Sequence, residues 1–469
     1  MVQQNNGILL INIPPWDFEK PPLGVACLAT YLKSIGVSVE VMDINIEIYH
    51  KSPENIKSKW SDIAASVWLE KEFAVKYDND FQKYVDRIIS YGYKILGFSI
   101  NTTMSIGFLK RLILQIKRAD PDKIIVVGGP GCFFSHTLAN FRGDFVNYFV
   151  IGKGEFALEW LLTKLSAGDS LKNDEKCRIN KEENGCLRIE GIKEYPIDSL
   201  PLPTFEEFNL KLYTRAVLPV RWSQGCIRSC AFCLDKIFSG DYSPGSVERV
   251  VAGIKFYIDK YGIKEFYFID NLINGDLRLL VELCDRIIKE DLSIVWNGQI
   301  AVRADMDKAI FVKLKMAKCK WLNFGVESFS DKVLLAMNKG FKAENVVQNM
   351  VDAKAAGLNV AIFIIVGFPG EEEADFEETT ENIKRYHEYI DSIANLNLCS
   401  ISFGTDMSNN LEKYNIIAQE QELSQEFWLK WHTKDNKNNF EIRLKRLLKL
   451  RSILEEFKIP FKDNYGLIV

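Results

Sequence analysis

Ser223-Gln-Gly-Cys-Ile-Arg-Ser-Cys-Ala-Phe-Cys233 lies near the middle of a 469-residue chain, and its three cysteines decide how the rest is read. Cys226, Cys230 and Cys233 stand in a C-x3-C-x2-C pattern. Thiolates select zinc or iron–sulfur clusters. A structural zinc site asks for a fourth Cys or His at short spacing. Here the four histidines (His50, His136, His387, His432) are scattered, and the next cysteine downstream is Cys284. Three thiolates on one tight loop suit a four-iron cluster with one iron left open to a substrate or cofactor. The plainer alternative is three structural cysteines clustered by chance. Gly225 and the polar neighbours argue against it by placing the stretch on a loop.

With the aromatic Phe232 just before the last cysteine, this loop resembles that of the radical S-adenosylmethionine (SAM) enzymes. The resemblance implies a [4Fe–4S] cluster on Cys226, Cys230 and Cys233 whose open iron chelates the methionine part of SAM. Reductive cleavage would give methionine and a 5′-deoxyadenosyl radical, with the electron supplied by an external carrier such as flavodoxin or ferredoxin.

Composition sets the frame. Hydrophobic content of 47% and charged content of 26% are ordinary for a soluble globular protein of two or three domains. A net charge of −4 gives no global basic field for nucleic acid. No apolar run is long enough for a membrane span, and the amino terminus lacks a signal-peptide pattern. Ten cysteines without framework spacing point to a reducing cytoplasm rather than a secreted disulfide scaffold.

Upstream of the loop the pattern is strand–helix–strand. Gly7 to Ile13, Val37 to Asp43, Ile95 to Ile100, Lys123 to Gly128 and Phe145 to Ile151 read as five buried strands of a doubly wound sheet. Residues 44–91 read as a polar, aromatic, helical insertion packed by Trp60, Trp68 and Phe73. Glycines at strand ends let backbone approach a ligand. Alone they match no nucleotide motif, and a Rossmann-like domain that binds nothing is the alternative.

Set before a C-x3-C-x2-C loop, this domain resembles that of the cobalamin-binding radical SAM enzymes, of the class B methyltransferase kind. The Pro21-Pro22-x-Gly24 opening, Ser99 to Thr103, Val-Gly-Gly-Pro130 and Gly-x-Gly-Glu155 carry the likeness. It implies cobalamin across the strand ends, contacted by Asn101, Thr102 and Thr103, by Gly128, Gly129, Pro130 and Gly131, and by Gly152, Gly154 and Glu155. There is no Asp-x-His-x-x-Gly motif and no histidine at the end of the first strand, so cobalamin is expected without a protein imidazole on cobalt.

From Ala216 the repeat becomes that of a partial (β/α)6 barrel, with strands at 216–222, 265–270, 293–296, 321–327, 359–367 and 393–402. Strand ends carry Asp270 and Asn271, Gln299 and Arg303, and Glu327, with Gly367-Phe368-Pro369-Gly370-Glu371 after the fifth. Each acid alone could cap a helix. Gly-Val-Glu-Ser328, Met337-Asn-Lys-Gly340 and the Gly-Phe-Pro-Gly-Glu turn match the radical SAM family. That likeness implies that Glu327, Arg303 and Gln299 hold polar groups of SAM, while Gly367, Phe368, Pro369, Gly370 and the Phe232 backbone flank adenine. The family's Gly-Gly-Glu after the second strand is replaced by Asp270-Asn271, which would take over the SAM amino group.

The expected architecture is α/β: a cobalamin-binding Rossmann-like domain (1–165), a linker (166–215), the radical SAM barrel (216–402) and a small, mainly helical substrate-shaping region (403–469). In that last region, Arg443, Lys445, Arg446, Lys449 and Arg451 read as a solvated helix face. The resemblance implies a methyltransferase acting on an unactivated carbon through methylcobalamin and a 5′-deoxyadenosyl radical. The alternatives are a non-methylating cyclisation or oxidative rearrangement, and a non-catalytic cobalamin or redox sensor. A methylthiotransferase would want three further cysteines upstream and a basic RNA module. The substrate, a small molecule, lipid or peptide side chain, is not encoded in any motif.

Overall fold

The structure is a computed structural model that describes residues 7–58, 60, 78–182, 184–192, 195–417 and 427–463, leaving aside the side chains of 78–80, 135–136 and 427–428. It divides into two compact units, Met1–Ala216 and Val217–Val469. The short apolar runs become strands because a parallel sheet covered on both faces needs apolar residues on both.

In the first unit β1 (Gly7–Asn12), β2 (Ser38–Asp43), β3 (Ile95–Ser99), β4 (Ile124–Gly128), β5 (Tyr148–Gly152), β6 (Cys177–Lys181) and β7 (Leu187–Gly191) form one sheet. Its order is β2-β1-β3-β4-β5-β7-β6, and only β6 and β7 pair antiparallel. The chain steps from β1 outward to β2 and returns on the other side at β3, so the crevice of the switch point opens between β1 and β3. Leu9, Ile11, Leu96, Phe98, Ile125, Val127 and Phe149 build the main core together with Trp60 of the insertion. Trp68 and Phe73 lie outside the described residues.

The segment expected as a linker, 166–215, falls in the first unit, and its described residues include regular structure. It supplies the β6–β7 hairpin and then runs back along the unit, where Tyr213 Oη donates to Asp43 Oδ2 at 2.6 Å and Thr204 N to Thr30 Oγ1 at 2.8 Å.

The second unit contains β8 (Val217–Val220), β9 (Ser223–Gln224), β10 (Ser243–Pro244), β11 (Glu265–Phe268), β12 (Val295–Ile300), β13 (Cys319–Glu327), β14 (Asn359–Val366) and β15 (Ser392–Leu398). The short β16 (Ile401–Ser402), β17 (Ile416–Ile417), β18 (Phe427–Trp428), β19 (His432–Thr433) and β20 (Phe461–Asp463) follow. Seven strands make an all-parallel sheet in the order β20-β15-β14-β13-β12-β11-β8, a curled half-barrel whose connections carry helices. The six expected strands are all present, and β20 adds a seventh from the tail. One face is apolar (Phe266, Phe268, Trp296, Leu322, Phe324) and packs under the helices, where Trp296 Nε1 donates to Ala317 O at 2.7 Å. The inner face is polar, with Tyr267 in register with Asn297, Gln299 with Asn323, and Asn323 Nδ2 donating to Tyr267 Oη at 3.2 Å.

The helix Phe440–Glu456 departs from the solvated face expected of its arginines. Arg443 is 0% and Arg446 5% exposed. Arg443 stacks 3.8 Å from the Trp431 ring and donates to Trp431 O and Asn438 Oδ1, so its charge is answered inside the protein.

Candidate functional site: a cysteine loop and two rows of strand ends

The cysteine loop follows β8 and is fixed before its first sulfur. Asp270 is 2% exposed and accepts from Trp222 N, Ser223 N and Ser223 Oγ. Burial raises its carboxyl to about 6, with the Ser223 and Trp222 donors pulling the other way. The side chain expected at a SAM amino group is instead the peg of the loop. Asp270→Asn replaces an acceptor by a donor at a saturated site. The expected cost is about 1.5–3 kcal/mol in denaturant titration, with iron uptake lowered in parallel, and an unchanged midpoint would remove this role.

Gly225 is needed for the turn itself. It sits at φ 75°, and a Cβ there would lie 2.1 Å from Asp241 O. The loop is then bracketed by Ala231, whose N–H donates to Met337 O at 3.0 Å and whose carbonyl accepts Met407 N at 3.1 Å. All three cysteines are free and partly buried. The N–H groups of Arg228 and Asp235 point at Cys226 Sγ and Cys233 Sγ, both at 3.4 Å. Burial pushes the three thiols up, while Lys339 and Arg228 pull Cys226 and Cys230 back. Metal binding would deprotonate them. Among the described residues no three His, Cys, Asp or Glu side chains are close enough to chelate a single ion. The loop offers three thiols with backbone N–H groups on two of them, a donor set of the kind that holds an iron–sulfur cluster.

The barrel strand ends lie around this loop in the same unit. Glu327, 8% exposed, ends β13 at φ 70° and faces Lys339 Nζ at 3.4 Å. Arg303 is committed to Asp305 (2.6 and 2.8 Å) and to the carbonyls of Asn274 and Gly275. Asn271 Nδ2 and Asn297 Oδ1 are buried without a hydrogen-bond partner, and Gln299 lies beyond Asn297 on the same face. Sequence reasoning passed over Asn297, although its period-two spacing with Gln299 signals one face.

The Gly367–Gly370 turn is braced from behind. Asn438 Nδ2 donates to Gly367 O and Phe368 O at 3.0 and 3.1 Å, and Gly367 N donates to Glu371 Oε2 at 2.7 Å. Phe368 is fully buried, so its side chain serves the core. Pro369 and Gly370 border a cavity of about 700 Å³ with Asn338, Asp406, Tyr414 and Asn438.

In the first unit the strand ends form a second row. Asn12 of β1 pairs in register with Asp43 and Ser99, and Ser99 with Gly128. Asn101 Nδ2 donates to Asn12 Oδ1 at 3.2 Å, and Asn12 Nδ2 to Asp43 Oδ1 at 3.0 Å, directly at the β1–β3 switch point. Asn12, absent from the sequence expectations, is the centre of this network. Thr102 caps the short turn Thr103–Ser105. Gly129 (φ 104°) and Gly131 pack so closely that a Cβ would lie 2.4 and 2.5 Å from Ile100 atoms. Pro130 opens the turn that follows. At Gly152 (φ 79°) the nearest atom to a Cβ is 3.9 Å away, so the backbone there is open to a ligand, and Gly154 starts the next helix. Glu155 is 6% exposed and accepts from Tyr195 Oη at 2.8 Å, which ties it to the protein. Glycine-lined, partly open strand ends with an amide network at the switch point fit a large planar ligand.

Known proteins are similar to this chain in sequence and fold. Residues 220–383 match the model of the Radical SAM superfamily, and residues 16–162 that of the B12 binding domain. An uncharacterized methyltransferase of Pyrococcus horikoshii is 27% identical over 372 residues, 78% of this chain and 73% of that protein. A protein named as a methylthiotransferase in Methanocaldococcus jannaschii is 26% identical over 66% of this chain and 68% of its own length. The radical S-adenosylmethionine methyltransferase TsrM from Kitasatospora setae, solved with cobalamin and a [4Fe-4S] cluster, has the same fold. Its TM-score is 0.68 at 17% identity, over 89% of this chain and 81% of that one.

Proposed function

We propose that this chain, which belongs to the cobalamin-binding radical SAM enzymes, is a methyltransferase acting on an unactivated carbon. When bound, the cluster with SAM supplies a 5′-deoxyadenosyl radical and cobalamin supplies the methyl group. The observation that carries the reading is the pairing, in one chain, of the pegged C-x3-C-x2-C loop with an amide network at a doubly wound switch point.

Cys226, Cys230 and Cys233 would hold the cluster, and the two N–H···S contacts would stabilise thiolate charge on the loop. Glu327 and Gln299 would meet the polar groups of SAM, with the Phe232 and Pro369–Gly370 backbone beside adenine. Arg303, already bidentate to Asp305, would act by shaping the strand end rather than as a free cation. Asn101, Thr102, Gly128–Gly131 and Gly152 would line the cobalamin. Asn12 would set the orientation of Asn101.

Methylthio transfer, suggested by the name of the M. jannaschii relative, is disfavoured by the cysteines of the first unit. Cys27, Cys132, Cys177 and Cys186 are all buried on separate elements, and burial raises the last three thiols. They form no second cluster loop. The test is product analysis of anaerobically reconstituted protein with SAM and reductant. Methyl transfer predicts S-adenosylhomocysteine and 5′-deoxyadenosine together. 5′-Deoxyadenosine without S-adenosylhomocysteine would replace it by a cyclisation or rearrangement.

A further inference from the structure

The stretch Met337-Asn-Lys-Gly340 has no part in the roles assigned so far, yet it lies along the cysteine loop and grips it at three points. Met337 O accepts Ala231 N at 3.0 Å, Asn338 Nδ2 donates to Ser229 O at 2.8 Å, and Arg228 Nη1 donates to Gly340 O at 3.3 Å. The strap follows a path that needs left-handed backbone at Asn338 (φ 60°) and Gly340 (φ 69°). A Cβ at Gly340 would stand 2.3 Å from Arg228 Nη1.

The buried charge of the strap is Lys339, 6% exposed. Its ammonium lies 5.7 Å from the centre of the Phe232 ring, within the cysteine loop, and 5.6 Å from that of Phe341. Its anionic partner among the described residues is Glu327, at 3.4 Å. A buried ammonium facing one carboxylate at the outer limit of hydrogen bonding is incompletely neutralised. Arg228, the other cation beside the loop, directs its guanidinium to the carbonyls of Val302 and Gly340.

We propose that Lys339 is the built-in counter-charge of the cysteine loop, a positioning residue that eases one-electron reduction of the cluster held there. The proposal rests on the cluster reading of that loop. Reduction adds a negative charge to a thiolate-ligated cluster, and such couples respond to the charge, hydrogen bonds and solvent exposure around them. A buried cation keeps its effect because counterions screen it little. Glu327 moderates the charge and fixes the ammonium beside Phe232.

The test uses anaerobically reconstituted full-length wild type, Lys339→Met and Lys339→Arg, with iron and sulfide counted per chain. Each is titrated with reductant in the absence of SAM and followed by electron paramagnetic resonance. The expected result is Lys339→Met with wild-type iron content and a reduced-to-oxidised ratio at least about tenfold lower at fixed potential, which is 59 mV for a one-electron couple. Lys339→Arg should stay near wild type. A wild-type ratio in Lys339→Met overturns the proposal. If that variant assembles no cluster, Glu327→Gln decides: with its carboxylate gone, the ammonium is less neutralised and the ratio should rise, and a ratio that does not rise overturns the proposal. A wild-type protein that takes up no iron would instead refute the cluster reading, a separate result.

Discussion

Cys230→Ala is expected to leave the fold intact and to abolish 5′-deoxyadenosine formation completely. The side chain is partly buried and the change trims a single sulfur, so little packing is lost. The peptide beside it stays anchored on both sides, Ala231 N on Met337 O and Ala231 O on Met407 N, and the loop keeps its peg at Asp270. What is lost is the donor set. Among the described residues no cluster of His, Cys, Asp or Glu stands by as a substitute ligand site. Iron per chain should fall steeply while circular dichroism is unchanged. Cobalamin uptake, assigned to residues of the first unit, should persist. Wild-type amounts of 5′-deoxyadenosine from this variant would defeat the assignment of the loop.

Arg446→Met should bring the largest loss of stability, about 3–5 kcal/mol at pH 8, because it strands a buried carboxylate. Glu371 is 4% exposed and lies 3.0 Å from Arg446 Nη1. Burial raises its carboxyl to about 7, with Arg446 and the Gly367 N–H holding it back from a higher value. The folded state therefore binds this proton more tightly than the unfolded chain does. Stability from this group is full below the ordinary glutamate range and declines as pH rises through about 7. Without Arg446 the carboxyl protonates still more readily, so the loss should shrink at pH 5.5. The double variant with Glu371→Gln should recover most of the stability at pH 8. Because Glu371 holds Gly367 N, SAM affinity should weaken in Arg446→Met under the reading of that turn given above. Denaturant midpoints at the two pH values test the argument, and an Arg446→Met protein as stable as wild type at pH 8 would end it.

The parts of the fold that sequence made legible are those where chemistry is local. Apolar runs such as Ile124 to Gly128 read as buried strands, and three cysteines in eight residues read as a ligand loop, because both signals lie within a few consecutive residues. What escaped was set by partners distant in sequence. Residues 293–296 read as a strand that stops at Trp296, because Asn297 and Gln299 interrupt the apolar run; they face the polar inner side and the strand continues to Ile300. The hairpin β6–β7 hid in a polar segment because an outer strand buries only alternate residues, as Cys177 and Ile189 do. Asp270 looked like a ligand contact until its acceptors were seen filled by Trp222 and Ser223. Arg443 and Arg446 looked solvated since composition cannot reveal a Trp431 ring or a buried Glu371 opposite them.

The position of β20 bears on how the chain is made. β15 ends at Leu398, and the strand that covers its outer edge begins at Phe461. While residues 399–460 are being synthesised, the backbone groups along that edge of Ser392–Leu398 have no neighbour, in a strand whose Ile393, Leu396 and Leu398 are apolar. Such an edge invites pairing with another nascent chain. By the time this edge is made the first unit is complete, since the last of its strands ends at Gly191. Slow translation of residues 399–460 should therefore favour aggregates that contain a folded first unit, and co-expression with a chaperone that shields strand edges should relieve them.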